Sequence, residues 1–365
     1  MSSGADDKWR TTSGADVAAT PDAAGPLSGA SFRTLGRMPL TSALLPRSSA
    51  AAGRLVALPH ALSTNDELTD RVRTAPSEWP HLSVVVTDDQ RAGRGRLGRV
   101  WMAEAGTSLA VSVLLRPQPA FSPDVYGWIP LAAGAAMTVA VREALAGASE
   151  IARDSDATDD AGAGAGAGAD ASADANDGAG AGAGAEGESA VRSVERRVQL
   201  KWPNDVLIEG RKVAGVLSEL LALPNAPAVV VGVGLNLSMT AEQLPVPTAT
   251  SLALAGVRDI DVDAVLARFL TELDGMLHAL QQAHGDAVAA GVHARVAALL
   301  GTVGRDIRAD LPGGDALEGR ATGLAPDGRL LVRRRDANPG QAAEVAVAAG
   351  DITHLRLTGS GETLG

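Results

Sequence analysis

Val262, Val265, Leu266, Phe269, Leu270, Leu273, Met276, Leu277 and Leu280 recur at steps of three and four residues. That spacing predicts a long amphipathic helix whose apolar side lies on a sheet. The strands that could form it are legible upstream. Leu82 to Val86, ending at Thr87-Asp88-Asp89, and Ser108 to Leu115, stopped by Arg116-Pro117, read as strands, as does Val229 to Val233. Arg197 to Trp202 alternates, with Val198, Leu200 and Trp202 on one face and Arg197, Gln199 and Lys201 on the other. Val206–Ile208 and Lys212–Leu221 flank Glu209-Gly210 as a hairpin. Ile129 to Leu145 reads as an alanine-rich helix. After about Gly301 the pattern becomes short strands with turns at Pro312-Gly313-Gly314 and Pro326-Asp327-Gly328. The expectation is an α/β domain with a mixed sheet and flanking helices, followed by a small all-β barrel.

Two segments fall outside this pattern. Residues 1–30 are polar and lack apolar periodicity, so a disordered tail is expected. Residues 154–189 are almost wholly Ala, Gly and Asp, with Gly-Ala alternation that offers nothing to pack. They are expected to form a disordered insertion in a catalytic domain of residues 31–300, with the barrel at residues 301–358. Pro39 to Leu45 reads as a turn or two of helix, stopped by Pro46.

Composition excludes more than it selects. Aromatics are 2% of the chain, so core mass must come from Val, Leu and Ile. Zero cysteines exclude disulfides, thiolate zinc sites and a cysteine nucleophile. A net charge of −11 argues against a protein that coats DNA or RNA. No apolar run approaches the roughly 20 residues of a membrane span. The N-terminus lacks a signal peptide's apolar stretch, and a cytoplasmic location is expected.

The chemistry concentrates in two cationic elements about a hundred residues apart. Gly93-Arg94-Gly95-Arg96-Leu97-Gly98-Arg99 is a glycine-spaced loop with three guanidiniums, and Trp101 follows it. It fits the G-x-G-x-x-G spacing formally. A dinucleotide site, however, needs a following helix and an acidic residue about 20 positions on, whereas Val100 to Leu115 reads as strand. Arginines on such a backbone suit phosphate and carboxylate, or form a solvated basic loop. The second element is Lys201-Trp202-Pro203-Asn204-Asp205. Of 32 basic residues only Lys8, Lys201 and Lys212 are lysine, so Lys201 suggests a point charge in place of a planar fork. Pro203 and Asn204-Asp205 present it on a turn, where Asp205 is read as a turn former. Gly215, Gly232 and Gly234 are either strand defects or places where a ligand lies on backbone. Ser63-Thr64-Asn65 ahead of Asp66 and Glu67 is first of all a helix N-cap cluster. The six histidines show no metal spacing, so no strong metal ligation by protein is expected.

Taken in order, Ser63-Thr64-Asn65, Gln90 through Arg96 with Trp101, Lys201 through Asp205, Lys212-Val213-Ala214-Gly215 and Gly232-Val233-Gly234-Leu235-Asn236 resemble the signature of biotin–protein ligases. The resemblance spans about residues 55–357, outside the Gly-Ala insertion. It implies an SH3-like form for the C-terminal barrel. It also implies an ATP-dependent enzyme that makes biotinyl-5'-AMP and passes biotin to a lysine of a biotin carboxyl carrier domain. Lipoate or octanoate ligation, or biotin sensing without catalysis, are the alternatives. The short stretch before the pattern implies a monofunctional type without an N-terminal winged helix, acting on neither DNA nor membrane. Carried over residue by residue, Ser63, Thr64, Asn65 and Gln90 line the biotin end, and Arg94, Gly95, Arg96, Lys201 and Gly215 also touch biotin. Arg94, Arg96, Arg99, Trp101, Lys201, Asn204 and Asn236 meet ATP, with Mg²⁺ near Asn236. Lys201, Arg94 and Arg96 carry the catalysis.

Overall fold

The computed structural model describes residues 39–160, 194, 197–224, 226–311, 315–335, 342–348 and 351–354. The expected tail, most of the Gly-Ala insertion and the Pro312-Gly313-Gly314 turn lie outside them.

A single 3-10 turn, Ser42–Leu44, precedes α1 (Pro46–Ala51). Pro46 therefore opens a helix instead of stopping one, because a first-turn residue needs no donor and its φ is already helical. Next come β1 (Arg54–Ala57), α2 (Thr64–Thr74), β2 (Ser83–Thr87), the short strands β3 (Gly93–Arg94) and β4 (Val100–Trp101), and β5 (Ser108–Leu115). The expected strand from Val100 is thus broken: Gly106, at φ 82°, turns the chain and donates to Asp88 O. Helix α3 (Trp128–Asp160) is longer than its apolar stretch predicts. It takes in residues 154–160, ending where the Gly-Ala alternation starts. The stretch Val125–Ala148, a 3-10 turn at Val125–Gly127 followed by the first part of α3, is as long and apolar as a membrane span, contrary to expectation. In this fold α3 instead packs against the long amphipathic helix and the sheet, and 67% of its most apolar window is buried.

Four further strands follow: β6 (Val198–Lys201), β7 (Asp205–Ile208), β8 (Arg211–Leu221) and β9 (Ala228–Asn236). Glu209 and Gly210, both at positive φ, make the β7–β8 turn that the hairpin reading requires. The seven-stranded sheet has the order β1-β2-β5-β9-β8-β7-β6 and is antiparallel except for β1–β2. The long amphipathic helix is α4 (Val262–Gln282), capped by Asp261, whose carboxylate accepts from Ala264 N at 2.9 Å. With α3 it covers one sheet face, burying Val229, Val231 and Val233. The opposite face is covered by α2, whose Leu68 and Val72 meet Val85 and Val230. Period-two alternation along β9 sets which residues face which side.

After α5 (Val292–Leu299) come β10 (Asp306–Asp310), β11 (Ala316–Leu324), β12 (Leu330–Arg334), β13 (Glu344–Val347) and β14 (Asp351–His354). Their order is β13-β12-β11-β10-β14. Among the described residues β13 and β14 do not pair, so the expected closed barrel is an open five-stranded sheet. Two indoles hold this sheet to the catalytic domain: Trp128 Nε1 donates to Pro326 O at 3.0 Å and Trp202 Nε1 to Gly328 O at 3.1 Å.

Candidate active site

On the sheet face opposite α3 and α4, a cleft of about 1530 Å³ runs from the N-terminus of α2 to the start of β10. Its floor is glycine where side chains must lie flat. A Cβ at Gly232 would run into the Asn65 amide, and one at Gly234 into the Trp101 indole. The two glycines thus seat Asn65 and Trp101 directly on β9.

One end is a buried polar cluster. Ser63 caps α2 by accepting from Asp66 N at 3.3 Å. Gln90 Oε1 accepts from Thr64 N at 2.9 Å and from Thr64 Oγ1 at 3.2 Å. Ser112, from the otherwise apolar β5, donates to Asn65 Oδ1 at 2.6 Å and lies 2.8 Å from Thr64 Oγ1. These contacts occupy the amide oxygens of Asn65 and Gln90. Their amide N–H groups, which have no protein partner among the described residues, remain for a small polar ligand.

The basic loop is a hairpin of its own, with Gly93 opposite Trp101 and Arg94 opposite Val100. A 3-10 turn at Arg96–Gly98 closes it, Gly98 at φ 72°. Its arginines diverge. Arg94 makes a bidentate pair with Asp66 on α2, one arm at 2.9 Å, and lies 3.9 Å from Glu219. Its pKa is raised, first by the hydrogen bonding it donates to Asp66 and then by that carboxylate's charge. Arg94, expected at the phosphates, is therefore committed to carboxylates here and ties the loop to α2. Arg96 Nη1 donates to Asn204 Oδ1 at 3.1 Å. Arg99 lines the cleft.

Lys201 ends β6 and lines the same cleft, on the face its alternation predicts. Asn204 is more than a turn former. Its Nδ2 donates to Val216 O at 2.6 Å, and its O accepts from Val216 N at 2.9 Å, so it locks the turn onto β8. Asn236 Nδ2 donates to Thr250 O at 2.9 Å. Gly215 lines the cleft, but the space above it is already taken. A Cβ there would sit 2.8 Å from Lys212 Nζ, which pairs with Asp205 Oδ1 at 2.6 Å. The glycine makes room for this ion pair first.

All the sequence-derived site residues, from Ser63 to Asn236, therefore line one cleft. Sequence reasoning missed Ser112, Lys212, Asp205 as a partner for Lys212, Arg305 just ahead of β10, and Arg320 on β11. For Ser112 and Lys212 a signal existed: a hydroxyl in an apolar strand, and a second lysine in an arginine-rich chain. No cluster of three potential metal ligands occurs among the described residues.

The arrangement has counterparts in known proteins. Residues 61–236 match the Biotin/lipoate A/B protein ligase family, and residues 302–355 match the Biotin protein ligase C terminal domain. The biotin--[acetyl-CoA-carboxylase] ligase of Mycobacterium tuberculosis is 32% identical over 273 residues, covering 75% of this chain and 79% of that one. The bifunctional ligase/repressor BirA of Bacillus spizizenii is 26% identical over 159 residues, covering 43% of this chain and 33% of its own. The fold agrees with that of a biotin protein ligase from Aquifex aeolicus, solved with biotin and ATP. There the TM-score is 0.53 at 22% identity, covering 83% of this chain and 99% of that one.

Proposed function

The chain belongs to the biotin–protein ligase family, and from that premise we propose that it activates biotin with ATP and transfers the biotinyl group to a lysine of a carboxyl carrier domain. One observation carries the reading: a buried polar cluster for a neutral ligand end and a set of fixed cations stand at different parts of one cleft, on a glycine floor.

In the first half-reaction a biotin carboxylate oxygen attacks the α-phosphorus of ATP. The bond to the bridging oxygen breaks, and pyrophosphate leaves with the electron pair. Two anions repel as they approach, so preorganised positive charge is what the chemistry needs. Lys201 is proposed to sit between carboxylate and α-phosphate, with Arg96 and Arg99 on the phosphate side. Ser63, Thr64, Asn65 and Gln90 are proposed to hold the ureido ring of biotin, whose carbonyl matches the free amide donors of Asn65 and Gln90. Trp101, Asn204 and Asn236 are proposed on the nucleotide side, and the backbone of Arg94, Gly95 and Arg96 over the ligand. The hairpin then shields a water-sensitive anhydride.

Mg²⁺ fits this site as a companion of the nucleotide. It needs few protein oxygens, and Asn236, which lines the cleft, would be the nearby side chain to offer one. Bound there, it would neutralise phosphate charge. A cytoplasmic location belongs to the same proposal, since the reaction consumes ATP. An SH3-like form for the C-terminal sheet, whose strand order is β13-β12-β11-β10-β14, is carried as part of the same proposal.

The test is pyrophosphate release in the presence of ATP and Mg²⁺ with either biotin or lipoate. Biotin-dependent release is expected. Release with lipoate alone overturns the reading in favour of a lipoate ligase, and tight biotin binding without release favours a sensor.

A further inference from the structure

Val213 and Ala214 are neighbours in sequence, yet both are buried in the core on the α3 and α4 side of the sheet. A strictly alternating strand would send them to opposite faces. The cause is a β-bulge: Val206 pairs with Ala214 and Leu207 with Lys212, so Val213 is an extra residue on β8. Without the bulge Lys212 would share the core face with Ala214. With it, Lys212 turns into the cleft on the same face as Gly215.

Cross-strand pairing sets what lies beside it. Lys201 pairs with Asp205, Asp205 with Gly215, and Gly215 with Gly234. Directly opposed residues point to the same side of a sheet, so these four form one row across the cleft floor. The glycines carry no side chain, and others lie over them: the Lys212 ammonium above Gly215 and the Trp101 indole above Gly234. The row thus presents Lys201, Asp205, Lys212 and Trp101 in that order. Lys212 is rooted on the Asn236 side of the row, and its stem leans back to reach Asp205 at 2.6 Å. Its side chain is 42% exposed, and an ion pair that open to water contributes little to stability. A bulge disrupts the ladder and a strand glycine weakens it, so as a structural element the arrangement is a poor one. Arg94, meanwhile, is committed to Asp66, which leaves the phosphate side one cation short of the sequence-based expectation.

Resting on the ligase reading above, we propose that Lys212 is a further catalytic residue, whose ammonium leaves Asp205 when ATP enters and binds the oxygens of the departing pyrophosphate. Asp205 is its positioning residue and holds the ammonium over Gly215 until then. The exchange is favourable because the triphosphate brings several negative charges against the one on Asp205. It also uncovers the Gly215 backbone for the ligand. In adenylation the bond from the α-phosphorus to the bridging oxygen breaks, the electron pair goes to that oxygen, and negative charge grows on the leaving group. An ammonium on a flexible stem follows that charge outward, while Lys201 stays with the carboxylate and α-phosphate. Lys212 transfers no proton and remains an ammonium throughout.

The two halves of the pair are expected to act in opposite directions. Lys212→Met keeps the stem and removes the charge, so kcat for biotin-dependent pyrophosphate release falls about tenfold or more while the KM for biotin changes little. Lys212→Arg still brings a cation to phosphate and recovers most of that loss. Asp205→Asn releases the ammonium from its resting partner, so the KM for ATP falls and kcat is kept. If the pair merely braces β7 against β8, both Lys212→Met and Asp205→Asn break it and harm activity alike. Equal falls in kcat in these two variants overturn the proposal, as does an unchanged kcat in Lys212→Met. A second measurement needs no variant. The chain has three lysines, Lys8, Lys201 and Lys212, so acylation by an amine reagent can be read at each by mass spectrometry. With biotin present, adding the unreactive analogue α,β-methylene-ATP is expected to slow labelling of Lys212 severalfold. Labelling as fast as with biotin alone overturns the proposal. Absence of biotin-dependent pyrophosphate release from the unaltered protein removes the ligase reading instead, and this inference with it.

Discussion

Arg96 and Asn204 are 108 residues apart in sequence, and the guanidinium of one donates to the amide oxygen of the other at 3.1 Å. Asn204 is itself fastened to Val216 through both its side chain and its backbone. This hydrogen bond therefore joins the basic hairpin to the turn that presents Lys201. Arg94 also tethers the hairpin, to Asp66 on α2. Between the two, the hairpin spans the cleft from the polar end to the lysine end.

Replacing Arg96 with Gly removes the Asn204 tether and adds backbone freedom beside Gly95 and Gly98. The hairpin is then expected to open more often and to release the reactive anhydride. Escaped adenylate acylates exposed lysines without selection. Arg96→Gly enzyme mixed with biotin, ATP and a bystander protein should leave biotin on the bystander by blot. A clean bystander lane beside reduced carrier labelling would mean that Arg96 only binds.

Gln90→Ala removes the acceptor for two Thr64 donors and one amide N–H offered to ligand. An unpaired buried polar group costs about 1–3 kcal/mol. The KM for biotin is expected to rise about tenfold or more, with that for ATP little changed. Steady-state titration of each substrate separates the two, and an unchanged biotin KM excludes Gln90 from the site.

Much of this site was legible because strands and turns print their periods locally. Val198, Leu200 and Trp202 are buried as their alternation predicts, which leaves Lys201 on the cleft face. The stripe from Val262 to Leu280 became α4 for the same reason. What was not legible depends on partners distant in sequence. Nothing near Gly215 reveals that Lys212 Nζ fills the space above it, or that Asp205 neutralises that charge. Nothing near Arg94 reveals Asp66. The boundary of α3 was misjudged because composition alone does not separate a polar helical end from the glycine run behind it. Pro46 was misread because a proline marks either end of a helix, and only the fold decides which.

The glycine floor yields a prediction about coupling. Gly234→Ala pushes a methyl group into the Trp101 indole, which must move and take the hairpin with it. The KM for ATP is expected to rise, and the hairpin to become more sensitive to protease. Shortening the partner relieves the clash, so Gly234→Ala combined with Trp101→Ala should be less damaging than the sum of the two changes. Strict additivity in a double-mutant cycle would show that the two positions do not press on each other.

Stability rests on α4 rather than on the site. Phe269 is fully buried between α4 and the sheet, and Phe269→Ala is expected to cost about 3–5 kcal/mol. Denaturant unfolding should show the midpoint falling without loss of a single transition. A loss under about 1 kcal/mol would mean that the cavity collapses, contrary to close packing at this position.

Lys201 separates binding from chemistry. If its ammonium stabilises charge that grows as the carboxylate meets the α-phosphate, removing it affects the transition state more than the bound substrate. Lys201→Ala should then lower kcat for pyrophosphate release by at least a hundredfold while biotin affinity changes far less. Lys201→Arg keeps the charge but spreads it over a planar fork on a longer stem, and the β6 end is fixed by pairing with Asp205. It should rescue little of the loss. Equilibrium biotin binding and rapid-quench measurement of adenylate formation on the same variants provide the comparison. Near-normal adenylate formation in Lys201→Ala would leave this lysine a bystander and shift the burden to Arg96 and Arg99.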